Sequence, residues 1–534
     1  MRIAIVLTVL VALAAAESGK FAKLVKKDPS NVAAWLSLAD ALVAETEPEE
    51  AWTQLEAGIE ANPKDDRLRL KLGDIFVKLA EKEQAGNRNA TTIDNFYLDA
   101  IRLYEEAHTL RKSADAIYGK AFASYWMGRP EGKVAAKKLL GEALMLDAKH
   151  ARSHALQADI MYNDGRVEKD GGKRKVIFAN AEQKYEIAAK LFDGQPLMFV
   201  RWGHACYGQG KLDAARNAYF EGLRRHQDSD ASIRSGFYLL AKQGDAAGYY
   251  VRLTSMLEEG IKIAPKSDLA LWHLGVVHTK TKRYEDALDV LQKAHKLKPN
   301  SQAYAYWIGY THESARDLDK ALAWYEKTLK IDSTFGNAIY GYQRIIGAKF
   351  GRDTDQTEKH FEKLLKLAPE NADIRNNLGL ILRDWAQANG AAGPSPGSEA
   401  KRRIKRSGEV YEEAAALLPN SPQVLSDTGL LFEFYPCNFD AEKAKRYFTA
   451  SLEKSEFVYR DAFDGLTRLC RRMKDWETLE EYAEGVLGAM ERGKNPIAPV
   501  GGGAPRELPN ARAGMMARAK AAYELALRGL KKKS

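Results

Sequence analysis

The chain has 534 residues, of which 45% are hydrophobic and 29% are charged. This balance fits an ordered, water-soluble helical protein rather than a disordered one. Its 81 basic and 72 acidic residues leave a net charge of +9. Because both signs are abundant, a mixed, solvated surface is favoured over a face dedicated to nucleic acid.

Three cysteines, Cys206, Cys437 and Cys470, are too few and too far apart to hold the fold together. Their number is odd, and no CxxC or Cys/His cluster has the spacing of metal ligands. Cys206 and Cys470 fall at core positions of two helices, so we expect both to be buried and inert thiols. The sequence therefore predicts neither a disulfide framework nor a metal centre.

Residues 1–16 read MRIAIVLTVLVALAAA, a basic residue followed by an apolar run and an A-x-A exit. This pattern is typical of a secretory signal peptide cleaved after Ala16. The apolar run is short for a membrane span. We expect export to a periplasm, a secretory lumen or the extracellular space. An uncleaved N-terminal membrane anchor and a buried first helix remain as alternatives.

A repeat occupies most of the remaining chain. Its first clear copy places apolar and small residues at helical spacing: Trp35, Leu38, Ala39, Leu42, Ala51, Leu55, Gly58 and Pro63. It is most regular over residues 269–333, where Gly275 and Gly309 are 34 residues apart. Two apolar helical faces closed by a proline predict a helical hairpin. Hairpins at a fixed period predict a solenoid, because one hairpin alone cannot bury both faces.

These residues resemble the tetratricopeptide repeat family. The resemblance extends over about twelve repeats within residues 17–491. It is clearest in the first, fifth, seventh, eighth and tenth repeats, and the register is least defined in the sixth, ninth and twelfth. It implies an all-α, right-handed solenoid of helix-turn-helix repeats. It also implies a scaffold for protein–protein interaction rather than an enzyme.

Three insertions, near residues 83–94, 166–177 and 388–400, lengthen individual repeats. The third is rich in Gly, Ala, Pro and Ser and is expected to be a mobile loop. The densest basic run, KRRIKR at residues 401–406, follows it directly. Such a run could contact lipid or nucleic acid, but a solvated start of a helix is the favoured interpretation.

The end of the chain departs from the repeat. Residues 492–509 are rich in Gly and Pro and predict a linker. Residues 510–534 follow, with Ala519, Tyr523 and Ala526 on one helical face. We expect this segment to be the capping helix that a solenoid needs to keep its last repeat soluble.

The candidate binding site is the concave face. In the family, the first helix of each repeat lines that face, and the resemblance implies which positions point inward. Reading those positions gives a belt of aromatic and histidine side chains: Tyr118, Phe122, Tyr125, Tyr162, His204, Tyr207, Tyr238, Trp272, Tyr306 and Tyr310. Large side chains with polar ends suit a recognition surface. The alternative, that they pack between helices, stays open.

No motif for catalysis accompanies the repeats. The sequence contains no HExxH, GxSxG or GxxxxGK[ST], so no enzyme activity and no cofactor is expected. The family's clamp for a chaperone's C-terminal carboxylate is also missing, because the corresponding positions include Leu36, Asp40, Asp115 and Gly119.

The sequence thus predicts a non-enzymatic, exported scaffold that binds a peptide or helix of a partner protein along its groove. A carbohydrate- or cell-wall-binding solenoid and an RNA-binding helical repeat are the alternatives, although nucleic acid is not favoured. A membrane is expected as a partner only if the N-terminal segment stays uncleaved.

Overall fold

The computed structural model describes residues 17–45, 47–86, 90–227, 232–351, 353–499 and 505–532. Residues 1–16, on which the expectation of export depends, lie outside the described residues. The described chain divides into two compact units, one ending at Leu274 and the other beginning at Gly275. Both are built almost entirely of helices that follow one another in antiparallel pairs.

The first unit contains the pairs of the first six repeats. Its helices are α1 (residues 17–27), α2 (Val32–Ala44), α3 (Pro48–Ala61), α4 (Asp66–Ala85), α5 (Ala90–Leu110), α6 (Ala114–Trp126), α7 (Pro130–Leu146), α8 (Ala151–Val167), α9 (Gly171–Leu191), α10 (Pro196–Gly208), α11 (Leu212–Arg225), α12 (Tyr238–Ala241) and α13 (Tyr249–Ile263). A π-helix at Ser232–Phe237 leads into α12, which accounts for the loose register of the sixth repeat. Helix α14 (Asp268–Lys280) contains the boundary between the units.

The second unit continues the same pattern. Its helices are α15 (Tyr284–Leu297), α16 (Gln302–Ser314), α17 (Leu318–Ile331), α18 (Gly336–Phe350), α19 (Thr354–Leu367), α20 (Ala372–Ala388), α21 (Ser398–Leu417), α22 (Pro422–Phe434), α23 (Ala441–Lys454), α24 (Arg460–Met473), α25 (Trp476–Glu491) and α26 (Arg512–Lys531). The predicted all-α solenoid of about twelve repeats is confirmed.

Local sequence explains where the helices begin. Side chains such as Asn31, Ser113 and Asn371 occupy the residue before a helix and accept a hydrogen bond from a backbone amide of its first turn. Other helices open with a proline, whose missing amide hydrogen is not needed in the first turn; Pro130 and Pro196 are examples. These local signals set the helix boundaries before any packing is considered.

Close contact between consecutive pairs builds the core. Tyr325 on α17 is completely buried and lies against Gly309 on α16 and Gly341 on α18. A methyl group at either glycine would lie 2.7–2.9 Å from the nearest ring atoms of Tyr325, so only glycine lets the three helices approach this closely. The small residues in the repeat are therefore contact points for the aromatic side chain of the second helix.

The described residues of the first two insertions are mostly helical. Helix α4 continues to Ala85 and α5 begins at Ala90, and α8 continues to Val167 before α9 begins at Gly171. The additional turns are mostly exposed, so a polar sequence is compatible with longer helices there. In the third insertion, a loop of residues 389–397 separates α20 from α21.

The segment expected as a linker contains two short antiparallel strands, β1 (Ile497–Pro499) and β2 (Pro505–Glu507). The backbone amide of Ile497 donates to the carbonyl of Val458 at 2.8 Å, and Ala498 is fully buried. These contacts tie the segment to the start of α24. Helix α26 then packs its buried face, which includes Ala519, Ala522 and Ala526, against α25.

Cys206 and Cys470 are buried, as predicted, and Cys437 is exposed. Burial raises the pKa of both buried thiols to about 12. Within the described residues, no helix is both long and apolar enough to cross a membrane.

Candidate binding groove

The first unit contains an open groove of about 620 Å³. Its lining comes mainly from the first helices of four successive repeats, α4, α6, α8 and α10. Lys71, Asp74 and Lys78 lie three and four residues apart and therefore share one face of α4. Arg152 and Asp159 are seven residues apart, about two helical turns, and therefore share one face of α8.

A tyrosine from an outer helix holds Asp74 in this groove. The hydroxyl of Tyr104, on α5, donates to Oδ1 of Asp74 at 2.8 Å. Tyr104 reaches this position by passing between Gly73 and Gly119, which lie on neighbouring first helices. Asp74 is accessible to solvent, but the groove walls surround it. The resulting desolvation raises the pKa of Asp74, and the hydrogen bond from Tyr104 opposes that rise.

Asp159 is held in a similar way, with an additional cation. Tyr185, on α9, donates its hydroxyl to Oδ1 of Asp159 at 2.6 Å, and Arg201 donates to Oδ2 at 2.6 Å. The side chains of Arg201 and Asp159 are only 17% and 19% exposed. Burial raises the pKa of Asp159, while the charge of Arg201 and both hydrogen bonds work against the rise. Both oxygens of this carboxylate are therefore engaged.

The cations of the groove differ in their partners. Lys71 pairs with Asp40, and Arg201 pairs with Asp159. Lys78 and Arg152 are both exposed, and neither forms a hydrogen bond or ion pair with another described residue. Arg152 lies close enough to Asp74 to lower the pKa of that carboxyl through its charge. The groove therefore presents two cationic groups without a direct partner.

Two of the residues predicted for the aromatic belt, Tyr118 and Phe122, line this groove. Their ring centroids are 6.0 Å apart, and Tyr118 also lies 5.6 Å from the ring of His150. Both are half-buried, since one side of each ring packs on the core beneath.

The other predicted residues of the first unit are half-buried between first helices. Asn163 donates to the hydroxyl of Tyr125 at 2.8 Å, and the hydroxyl of Tyr162 lies 3.2 Å from Nδ1 of His204. Gln243 donates to the hydroxyl of Tyr207.

Further along the first unit, the hydroxyl of Tyr238 lies 2.9 Å from Nδ1 of His273, and the ring of Trp272 lies 4.6 Å from that of His273. Along these helices, the polar ends of the predicted aromatic side chains are used in contacts between neighbouring repeats. This arrangement is compatible with both interpretations of the belt, because a half-buried side chain can pack between helices and also contact a partner.

In the second unit, Tyr306 stacks on Tyr310 and on Tyr325, with ring centroids 6.0 and 5.8 Å apart. The ammonium group of Lys280 lies 5.7 Å from the ring centroids of both Trp307 and Tyr310. Tyr306 and Tyr310 are half-buried. They form an aromatic cluster that is separate from the groove of the first unit.

Three stretches of the chain match family profiles described as tetratricopeptide repeat, at residues 32–75, 268–301 and 303–335. They cover the first, seventh and eighth helix pairs. The chain is a tetratricopeptide repeat protein. Its repeated architecture is that of a scaffold for protein–protein interaction.

Among curated proteins, this tetratricopeptide repeat protein is similar to anaphase-promoting complex subunit 3 of Schizosaccharomyces pombe, with 24% identity over 167 residues. The match covers 31% of this chain and 25% of the relative, so the chain spans about a quarter of the relative's length.

Solved structures with some similarity include human IFIT1, a dimer with m7Gppp-AAAA, with 14% identity, a TM-score of 0.27 and coverage of 80% of this chain and 90% of that one. The tetratricopeptide repeat domain of P58(IPK) is 15% identical with a TM-score of 0.21, covering 76% and 98% of the two chains. MamA is 18% identical with a TM-score of 0.26, covering 36% and 91%. At these scores, no argument about function rests on the similarities.

The charged residues of the groove were not among those predicted for this repeat protein, although the sequence contained the signal for some of them. Phe122 and Tyr310 each follow the small residue of a first helix, Ala121 and Gly309. Asp74 and Asp159 occupy the same position after Gly73 and Ala158. Only aromatic and histidine side chains were predicted for this surface, so the two carboxylates were missed.

The arginines of the basic run that follows the third insertion are paired with carboxylates. Arg402 pairs with Glu358 and Glu399, and Arg406 pairs with Glu362. Arg403 is buried among carboxylates of its own and a neighbouring helix. These pairs neutralise the three arginines of the run within the fold and weaken the main sequence feature that pointed to RNA.

Proposed function

We propose that this tetratricopeptide repeat protein is a non-enzymatic scaffold that binds a segment of a partner protein in the groove of its first unit. The observation that carries the proposal is the groove itself, which four successive first helices line. An extended peptide or a helix is the shape that such a repeat groove accommodates.

Apolar side chains beside the charged groups support this proposal. Leu197, at the start of α10, lines the groove and is 47% exposed. Phe122, on α6, and Met198, on α10, also line the groove. An exposed leucine next to charged and aromatic groups offers a partner both burial of apolar area and polar contacts, which protein interfaces commonly combine.

Substitution of Leu197 tests the groove. Leu197→Arg places a charge on the apolar wall without removing a buried side chain, so the fold should be retained. Leu212→Arg is the matched control, since Leu212 is 41% exposed near the start of α11 and does not line the groove. We expect proteins that co-purify with the unaltered chain to be lost with Leu197→Arg and kept with Leu212→Arg.

Two outcomes would contradict the proposed groove. If both variants keep the same co-purifying proteins, the groove of the first unit is not the binding surface. If both lose them equally, the loss does not depend on the groove. Circular dichroism spectra of the two variants should match that of the unaltered chain, which excludes unfolding as the cause.

We also propose that the scaffold acts after export. The support is the signal-like sequence of residues 1–16, with its A-x-A exit before Glu17. N-terminal sequencing of the chain purified from its native host should then begin at Glu17. A chain that begins at Met1 in the membrane fraction would indicate the anchor instead, and one that begins at Met1 in the soluble fraction would exclude both.

A further inference from the structure

We propose that the segment bound in the groove of the first unit is acidic, and that one of its carboxylates binds the guanidinium group of Arg152. Lys78 supplies a second positive charge nearby. This inference rests on the proposed function, because it names the chemistry of the segment that the groove would hold.

Arg152 has the properties expected of a group that recognises an anion. It is exposed in the groove near the start of α8, and it donates no hydrogen bond to a described residue. A guanidinium group has five donors in a planar fork, which matches the two oxygens of a carboxylate. The other arginine of the groove, Arg201, is already paired with Asp159. Arg152 is therefore the guanidinium group that remains available to a ligand.

The groove carboxylates are less available than its cations. Asp159 accepts hydrogen bonds at both oxygens, and Asp74 accepts one from Tyr104. Of the groove carboxylates, only Glu81 forms no hydrogen bond with a described residue. Four cations and three carboxylates line the groove, but Lys71 and Arg201 are already paired with Asp40 and Asp159. A basic segment would therefore meet the unpaired charges of Arg152 and Lys78, while Tyr104 already engages one oxygen of Asp74.

The surroundings of Arg152 also define the residues next to the acid. Phe122 lies on α6, the first helix of the preceding repeat, and Leu197 lies on α10, the first helix of the following one. A segment whose carboxylate reaches Arg152 would place its adjacent side chains near these apolar groups. We therefore expect an acidic residue flanked by apolar residues, rather than a uniformly acidic stretch.

Selection from a peptide library tests the proposal whichever protein the natural partner is. Phage-displayed random peptides of about twelve residues, enough to span several first helices, are selected on the full chain. We expect the selected peptides to be enriched in Asp or Glu beside apolar residues. A synthetic peptide from this pool is then titrated by fluorescence anisotropy against the unaltered chain and its variants.

Arg152→Gln should raise the Kd of this peptide by about tenfold or more, since a hydrogen bond between charged groups contributes roughly 1.5–3 kcal/mol. Arg174→Gln is the matched control, because Arg174 is an exposed cation on α9 outside the groove, and it should leave the Kd unchanged. Arg152→Glu should bind a version of the peptide with Lys in place of the acid better than it binds the original. That exchange cannot result from misfolding.

The acidic specificity and the groove can fail separately. Leu197→Gln removes the apolar side chain without adding charge. If Leu197→Gln weakens binding of the peptide but Arg152→Gln does not, the groove binds peptides and the acidic specificity is wrong. If neither variant changes the Kd, the groove is not the binding site, and both proposals fail. Enrichment of Lys or Arg, or of no residue class above an unrelated control protein, also overturns the acidic specificity. If oligouridylate displaces the peptide more effectively than free peptide does, the anionic ligand is nucleic acid and not protein.

Discussion

Tyr104 connects the core of the first unit to its groove. Its ring is almost fully buried between Gly73 and Gly119, and its hydroxyl donates to Asp74 at the groove surface. The spacing of two first helices and the orientation of a groove carboxylate thus depend on one side chain. The two glycines are required because the ring occupies the space of their missing side chains.

Substitution of one of these glycines should destabilise the chain. In Gly119→Ala, the new methyl carbon would lie 2.5 Å from Cε1 of Tyr104. We expect a loss of about 1–3 kcal/mol in the free energy of unfolding, because the overpacked ring or helix must shift. Urea unfolding followed by circular dichroism measures the change.

Gly141→Ala on α7 is the control, since the added methyl would have no neighbour within 4 Å. That variant should gain about 0.5–1 kcal/mol through the higher helix propensity of alanine. Equal changes in the two variants would show that the ring contact does not matter.

His204 makes stability depend on pH. Its Nδ1 lies 3.2 Å from the hydroxyl of Tyr162, its ring lies 5.9 Å from that of Tyr219, and Arg166 is the nearby cation. Burial, together with the charge of Arg166, lowers the pKa of His204. The folded chain therefore keeps this histidine neutral at a pH where the unfolded chain already protonates it.

The direction of the pH dependence of stability follows from this difference in pKa between the folded and unfolded chain. The contribution of His204 is present above the ordinary histidine pKa near 6.5 and is lost as the pH falls from there towards the lowered value. Between about pH 8 and about pH 5.5, the unaltered chain should lose more stability than His204→Gln does. Urea midpoints at both pH values measure this. Equal losses in the two proteins would contradict a lowered pKa at His204.

At the scale of elements, helix α21 is attached to α19 by a buried arginine. Arg403 is 1% exposed, and its Nε lies 3.0 Å from Glu399 and 3.3 Å from Glu358. It also pairs with Asp355, and its guanidinium carbon lies 3.9 Å from the ring centroid of Trp385. The start of α21, which follows the low-complexity loop, is therefore fixed by charge rather than left mobile.

Arg403→Met should cost about 1.5–3 kcal/mol, because Glu358, which is partly buried, keeps Arg402 but loses this second cation. Lys405→Met is the control on the exposed side of the same helix and should change stability by less than about 0.5 kcal/mol. Thermal and urea unfolding both report the difference. A neutral result for Arg403→Met would show that the carboxylates relax into solvent without it.

Helix α26 depends on a narrow strip of small residues. Ala522 is 3% exposed against α25, whereas its neighbour Ala521 is exposed. Ala522→Asp should detach the helix, because a buried carboxylate without a partner costs several kcal/mol. Ala521→Asp should leave it in place. Limited proteolysis between α25 and α26 should increase in the first variant alone, and similar cleavage of both would argue against the cap.

At the scale of the whole molecule, a solenoid has few contacts between distant parts of the sequence. Each helix pair packs mainly on the pairs before and after it, so stability is approximately a sum of local terms. A destabilised repeat can therefore unfold locally while repeats far from it in the sequence stay folded. The chain is expected to depart from two-state unfolding for the same reason.

Hydrogen exchange can test this locality. Gly119→Ala should raise exchange in α4–α7 and leave α20–α23 unchanged, and Arg403→Met should do the reverse. Mass spectrometry of peptic fragments gives the protection of each helix. Faster exchange along the whole chain in either variant would show that the molecule opens as one cooperative body.

The amino-acid sequence was sufficient for the helix pairs, their number and the burial of Cys206 and Cys470. These properties depend on the 34-residue period, on the prolines and capping residues, and on which positions are apolar. All of them are local in the sequence, because one repeat contains the whole pattern. The prediction for residues 497–507 missed two short strands, because three-residue strands carry almost no pattern of their own.

Only the tertiary structure decided which polar groups meet. Tyr104 and Asp74 are 30 residues apart, and Arg201 and Asp159 are 42 apart, so their contacts depend on how the pairs stack. The same stacking paired the basic run with glutamates and left Arg152 without a partner among the described residues. Periodicity specifies which side of a helix is buried, but the partners of a charge are determined by helices from other repeats, and no single repeat contains that information.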